Sequence, residues 1–176
     1  MELNNDDLRF KSEPLASKHD RAAFACGIPQ LDTYLKTQAR QDVRKNLCVA
    51  FVLTPDGKTI AGFYTLSQHS VDIGEIPEPI ARRLTRYKEV PATLLGRLAR
   101  SLEYRGKDVG EKLLMDALRR CLDISREIGS WAVIVDAKDE RSAVFYRQFG
   151  FVDFPNIPKR LFLTIDTIED ILLPKR

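Results

Sequence analysis

Six consecutive residues, Arg105-Gly106-Lys107-Asp108-Val109-Gly110, have the composition of an anion site. They follow a strand-like stretch and open an amphipathic one, so the loop ends at the first turn of a helix. The first N–H groups of a helix lack internal partners, and the helix dipole places roughly half a positive charge beside them. Arg105 and Lys107 add formal charges. A loop of this kind binds phosphate, or it simply turns the chain. It is neither a Walker loop nor G-x-G-x-x-G. Metal chemistry has less support. Three cysteines (Cys26, Cys48, Cys121) and two histidines (His19, His69) are scattered, without the tight Cys/His clusters of a zinc site. No metal is expected, and the odd cysteine set reads as reduced thiols in a cytoplasmic protein.

The elements that must position this loop follow from periodicity. Gln30–Arg44 has helical spacing at Leu31, Tyr34, Leu35 and Gln38. Leu47–Thr54 and Thr59–Ser67, joined through Pro55-Asp56-Gly57, predict an antiparallel hairpin. Ile73–Pro79 reads as irregular, Pro79–Leu84 as a short helix and Ala92–Leu102 as a strand. Gly110–Ile128 is the clearest helix, with Leu114, Leu118, Cys121, Leu122 and Ser125 on one face and charges largely elsewhere. Trp131–Ala137 predicts a buried strand, Glu140–Gln148 a short helix ending at Gly150, and Leu161–Asp166 a last strand before an apolar tail. Helices and strands in this order predict a mixed α/β or α+β domain.

Composition bounds the answer from outside. At 176 residues the chain suits one domain, 1–176, with a sizeable core. Apolar residues at 44% with nine Phe and five Tyr exclude a disordered chain. No run approaches the roughly 20 apolar residues of a membrane span. The N-terminus, MELNNDDLRF, lacks the basic and apolar regions of a signal peptide, which argues against secretion. A net charge of +3 permits an anionic ligand or nucleic acid without requiring one.

Two longer motifs add a resemblance. LLGRLARSLEYRGKDVGEKLLMDALRR followed by WAVIVDAKDERSAVFYRQFGF resembles the GNAT family of acetyl-CoA-dependent N-acetyltransferases. Its first hallmark, Gln/Arg-x-x-Gly-x-Gly/Ala, falls on Arg105–Gly110, and its second, A-x-x-F-Y-x-x-x-G-F, on Ala143–Phe151. Cys26-Gly27, LDTYLKTQARQD, CVAFVL and AGFYTLS are similar to the GNAT toxins of bacterial toxin–antitoxin modules, extending the match over most of 24–166. Those toxins acetylate the α-amino group of aminoacyl-tRNA and stop translation. The resemblance implies an α+β GNAT fold: a twisted mixed sheet, helices on both faces, and an acetyl-CoA cleft between splayed central strands. It also implies a homodimer and a small ribbon-helix-helix antitoxin as partners.

By the same resemblance, Tyr146 is the general acid that protonates the departing thiolate. Leu98, Ala99 and Arg100 offer backbone to the pantetheine arm, Arg105, Gly106, Lys107, Asp108, Val109 and Gly110 wrap the pyrophosphate, and Ser142 meets the coenzyme tail. Glu103 is either a water-mediated base or an exposed loop acid. The family's usual glycine is Asp108 here, which either sets a carboxylate beside the pyrophosphate or caps the helix, with Glu111 at capping-box spacing. Arg82, Arg83, Arg86 and Lys88 form the best basic cluster for the tRNA backbone; Arg40, Arg44, Lys45, Arg97 and Arg100 are scattered candidates. Acetylation of a small-molecule amine or a protein N-terminus, and a catalytically impaired binding protein, are the alternative functions.

Overall fold

The computed structural model describes residues 9–84 and 86–175. The first eight residues of the segment read for a signal peptide, Thr85 within the basic cluster, and the last residue of the tail lie outside the described residues. Seven strands form one mixed sheet in the order β1-β2-β3-β4-β5-β7-β6. They are β1 Lys11–Pro14, β2 Val49–Thr54, β3 Gly62–Asp72, β4 Glu89–Arg100, β5 Ala132–Asp136, β6 Val152–Asp153 and β7 Arg160–Thr164. The helices are α1 Pro29–Thr37, α2 Ala39–Arg44, α3 Glu78–Ala81, α4 Val109–Glu127, α5 Glu140–Gln148 and α6 Ile165–Leu172. The backbone divides into two compact units. One comprises the chain up to Leu66 with Arg97–Ala117; the other comprises Ser67–Gly96 and the chain from Leu118 onward.

In the first unit, β2 pairs antiparallel with β3 from Val49↔Leu66 to Leu53↔Gly62, the hairpin that the apolar runs predict. Its connection is longer than the Pro-Asp-Gly turn alone, and the Asp56 carboxylate organises it. That carboxylate accepts from the Lys58 and Thr59 amides at 2.8 and 2.6 Å and from the Thr59 hydroxyl at 2.7 Å. Strand β1 adds to the other side of β2, from Lys11↔Thr54 to Pro14↔Phe51. Its four residues, KSEP, have no apolar alternation, so only the exposed edge of β2 specifies them. The expected Gln30–Arg44 helix is two helices. Gln38 leaves helical geometry at φ −121°, and its carbonyl starts α2 by accepting from the Gln41 and Asp42 amides. Phe24, Tyr34, Leu35, Val52 and Phe63 form the core of this unit.

One contact fixes the start of α4. A Cβ on Gly62 would lie 2.5 Å from Leu113 Cδ1 and 3.0 Å from the Ala99 carbonyl oxygen. A side chain there would displace Leu113 and crowd the Ala99 carbonyl. One turn on, Asp116 Oδ2 accepts from the Tyr64 hydroxyl of β3 at 2.5 Å and the Ser12 hydroxyl of β1 at 2.6 Å. Asp116 therefore faces the sheet rather than lying among the solvent-facing charges that the helical pattern suggests.

In the second unit β5 pairs parallel with β4 through Thr93↔Val133, Leu94↔Ile134 and Leu95↔Val135, and antiparallel with β7. Strand β7 ends at Thr164, not Asp166, because the Thr164 hydroxyl accepts from the Thr167 amide and caps α6. Helix α5 has the predicted bounds. Phe154, Phe162, Ile134, Val71 and Val90 are part of this unit's core, and Trp131 stacks on Phe162 at 5.3 Å.

Gly62→Ala should cost about 1–3 kcal/mol by forcing α4 away from β3, in the range of overpacked cores. Denaturant unfolding checks it, against Gly129→Ala, where an added Cβ meets nothing within 4 Å.

Candidate functional site

The last rung between β4 and β5 is Leu95↔Val135, yet β4 continues to Arg100. At its far end the Ser101 amide donates to the Ala61 carbonyl at 2.8 Å. By the alternation of a sheet ladder, the amide and carbonyl groups of Leu98 and Arg100 then point to the opposite edge. Ala99 is buried, while Leu98 and Arg100 are half-buried. This is backbone free to pair with an extended ligand.

The chain next makes a tight turn, Leu102–Tyr104, closed by Tyr104 N–H to Ser101 O and Arg105 N–H to Leu102 O. Gly106 and Asp108 are both left-handed, at φ +77° and +54°. Nothing lies within 4 Å of a Cβ built on Gly106, so backbone conformation rather than space calls for glycine there. Asp108 bears the same demand with a side chain. Its carbonyl accepts from the Lys112 amide at 2.9 Å, the first hydrogen bond of α4. Its carboxylate is exposed and makes no hydrogen bond among the described residues, so the capping-box pairing is not formed. The amides of Val109, Gly110 and Glu111 donate to no carbonyl preceding the helix among the described residues. A long helix thus presents free N–H groups beside exposed Arg105 and half-buried Lys107, as the anion-site reading requires.

Helix α5 carries the other candidates. Asp139 caps it, accepting from the Ser142 amide at 2.7 Å, so that amide is taken up inside the protein. This bond holds the Asp139 carboxyl below its usual range. Arg147 ties the helix to β6 by two bonds of 2.9 Å to Asp153 and reaches Glu140 at 2.6 Å. Between these anchors Tyr146 is buried at 8% exposure, its ring edge-on to Phe145 and Phe151, both at 5.3 Å. Burial pushes its phenol well above the ordinary value. Its hydroxyl makes no hydrogen bond among the described residues and is not sealed from solvent. The group holds its proton at neutral pH and has no internal partner.

The structure thus gathers Leu98–Arg100 and Arg105–Gly110 in one unit, and sets Tyr146, Ser142 and the basic cluster in the other. Arg82, Arg83, Arg86 and Lys88 are all exposed, but Arg82 is already paired with Glu78 at 2.6 Å. Arg97 is half-buried, its guanidinium 3.5 Å from the centroid of the Tyr34 ring. Glu103 is exposed in the turn before the loop. Cys121 is fully buried and its thiol is pushed up to about 12, out of reach of nucleophilic use. No group of three or more metal-ligating side chains occurs among the described residues, and no helix there is long and apolar enough to cross a membrane.

Sequence patterning missed the surroundings of Lys107. Its ammonium lies over the Tyr104 ring at 5.5 Å, Tyr104 meets Phe10 edge-on at 5.6 Å, and Lys112 lies over Phe10 at 5.1 Å. Phe10 comes from the N-terminal segment, nearly a hundred residues away in the chain, so no local spacing announces the array.

The Acetyltransferase (GNAT) family model matches residues 15–151. The chain belongs to the GNAT acetyltransferase family. A GNAT relative from Sinorhizobium fredii, named Probable toxin TacT, is 35% identical over 91% of this chain and 93% of its own length. A tRNA-acetylating toxin of Mycobacterium tuberculosis is 33% identical over 85% of this chain and 88% of its own. The crystal structure of AtaTR bound with AcCoA superposes with a TM-score of 0.82 at 25% identity, covering 93% of this chain and 98% of that one. These agree with the α+β GNAT fold and the acetyltransferase activity that the two motifs imply.

The cap on α5 gives a pH test. Because the folded Asp139 carboxyl titrates below its unfolded value, it adds stability above about pH 4 that disappears as pH falls through the folded value. Asp139→Asn should flatten the acid limb of the melting-temperature profile, and Asp139→Ala should lower the melting temperature at neutral pH.

Proposed function

We propose that this GNAT protein is a toxin that transfers acetyl from acetyl-CoA to the α-amino group of an aminoacyl-tRNA and so blocks translation. The observation that carries the reading is the match to a tRNA-acetylating toxin over most of both chains. The residues fit the donor. Val109, Gly110 and Glu111 offer free amides to its pyrophosphate, Arg105 and Lys107 offer charge, and the open edge at Leu98 and Arg100 offers backbone to its pantetheine arm. Ser142 lines the coenzyme tail with its hydroxyl, its amide being held by Asp139. Acetyl-CoA, when bound, supplies an acetyl group activated as a thioester.

The chain's own part is positioning and proton supply. A new N–C bond forms as the C–S bond breaks; the amine loses a proton and the sulfur gains one. Tyr146 holds that proton at Oη, and a phenol kept neutral by burial suits a thiolate leaving group. The acceptor needs little help. A free α-amine has a pKa near 7.7–8.0, and an ester lowers it, so much of it is neutral near physiological pH. That suits a chain whose two motifs supply no histidine, whereas a lysine acceptor near 10.4 would need a base.

Arg83, Arg86 and Lys88, with Arg82 shared with Glu78, are the proposed tRNA phosphate contacts. A ribbon-helix-helix antitoxin and a second copy of the chain are the proposed protein partners. The domain acts as one unit of function, 1–176, in the cytoplasm, without a metal.

Labelled acetyl-CoA incubated with a pool of charged tRNAs should label one or a few of them. Tyr146→Phe should cut the rate about a hundredfold, within the usual contribution of a general acid. Label only on free amines or protein N-termini would overturn the choice of acceptor. Asp108→Gly should tighten acetyl-CoA several-fold by calorimetry, since it removes a carboxylate beside the phosphates and relieves the left-handed backbone.

A further inference from the structure

We propose that Lys107, Tyr104, Phe10 and Lys112 form the subsite for the adenosine 3′-phosphate of the acetyl donor, an inference that rests on the acetyl-CoA reading. The array is cation, ring, ring, cation: Lys107 over Tyr104, Tyr104 against Phe10, Phe10 under Lys112. Its members flank the loop whose helix amides are free, Lys107 from within the loop and Lys112 from the first turn of α4.

Lys107 and Lys112 each lie over an aromatic face, in contrast to the cations of this protein that are held by carboxylates. Lys18 is taken by Glu13, Arg126 by Glu169, Arg147 by Glu140 and Asp153, and Arg160 by Asp136. Lys107 and Lys112 have no carboxylate partner among the described residues. A ring face attracts an ammonium without neutralising it, and it limits where the flexible side chain goes. Each lysine therefore keeps its full charge and its N–H donors while being held in place.

That combination fits a phosphate monoester, which carries about 1.5 to 2 negative charges near neutrality. Coenzyme A carries two kinds of phosphate: the 5′-diphosphate and, on the same ribose, the 3′-monophosphate. With the diphosphate on the amides of Val109–Glu111, Lys107 and Lys112 would hold the monophosphate, which the ribose joins to that diphosphate. The lysines also offset Asp108, whose exposed carboxylate otherwise repels both phosphate groups. Phe10 itself precedes residues 15–151, which match the family model.

Calorimetry with coenzyme A and with dephospho-coenzyme A, which lacks only the 3′-phosphate, tests the proposal on the full chain. The wild type should bind coenzyme A about tenfold more tightly, the effect of one charge-assisted contact. Lys107→Ala with Lys112→Ala should bring the ratio near one, and its measurable binding of dephospho-coenzyme A shows that the double variant folds. Lys112→Arg alone should keep most of the preference. A wild type that binds the two ligands equally overturns the subsite and leaves the acetyl-CoA reading standing. A preference that survives the double substitution overturns it too, as does a double variant that loses charged tRNA and keeps the preference. Failure of the wild type to bind either ligand overturns the subsite and the acetyl-CoA reading together.

Discussion

Helix α4 lies so close to the start of β3 that a Cβ on Gly62 would force Leu113 to shift, and the position of the loop 105–108 depends on that seat. The loop has few contacts of its own; Gly106 meets nothing, and Asp108 is exposed. Its position comes from both ends. At one end Ser101 and Leu102 are bonded to Ala61 and Ala25, and at the other Leu113 fits against Gly62 while Asp116 accepts from Tyr64 and Ser12. With the ends held, the free amides of Val109–Glu111 face outward without a packed loop to support them. An anion site of this kind costs little reorganisation when filled, because its donors are backbone groups of a helix already fixed at its first turns.

Charge is distributed unevenly about that seat. Arg97 lies half-buried with its guanidinium over the face of Tyr34. Arg147 and Arg160 are spent on carboxylates that hold α5 and join β5 to β7. The cations left over include Arg105, Lys107 and Lys112 around the loop and Arg83, Arg86 and Lys88 elsewhere. Asp108 sets an exposed carboxylate and a left-handed backbone among that first group, where the family pattern carries glycine.

Elements whose signal lies in their own periodicity were legible in the sequence. Helix α5 was read to its bounds, and α4, β2 and β5 nearly so, because each alternates or repeats on a buried face. Elements that exist through a partner were not. Strand β1 has no apolar alternation and forms on the edge of β2, and β6 is two residues long beside β7. The break at Gln38 carries no proline or glycine to announce it. The site divided the same way. The loop and Tyr146 were legible as contiguous motifs, whereas Asp116 as an anchor and Phe10 as a ring beneath Lys112 depend on contacts between residues far apart in the chain.

The central claim is that the acetyl group ends on the α-nitrogen of an amino acid esterified to tRNA. Mass spectrometry of the 3′-terminal aminoacyl-adenosine, released by nuclease from charged tRNA after incubation with the protein and acetyl-CoA, measures this directly. The account predicts an acetyl mass increment on the α-amino group, absent when the tRNA is first stripped of its amino acid. Unmodified aminoacyl-adenosine, with the acetyl found instead on a free amine or a polypeptide, would contradict it.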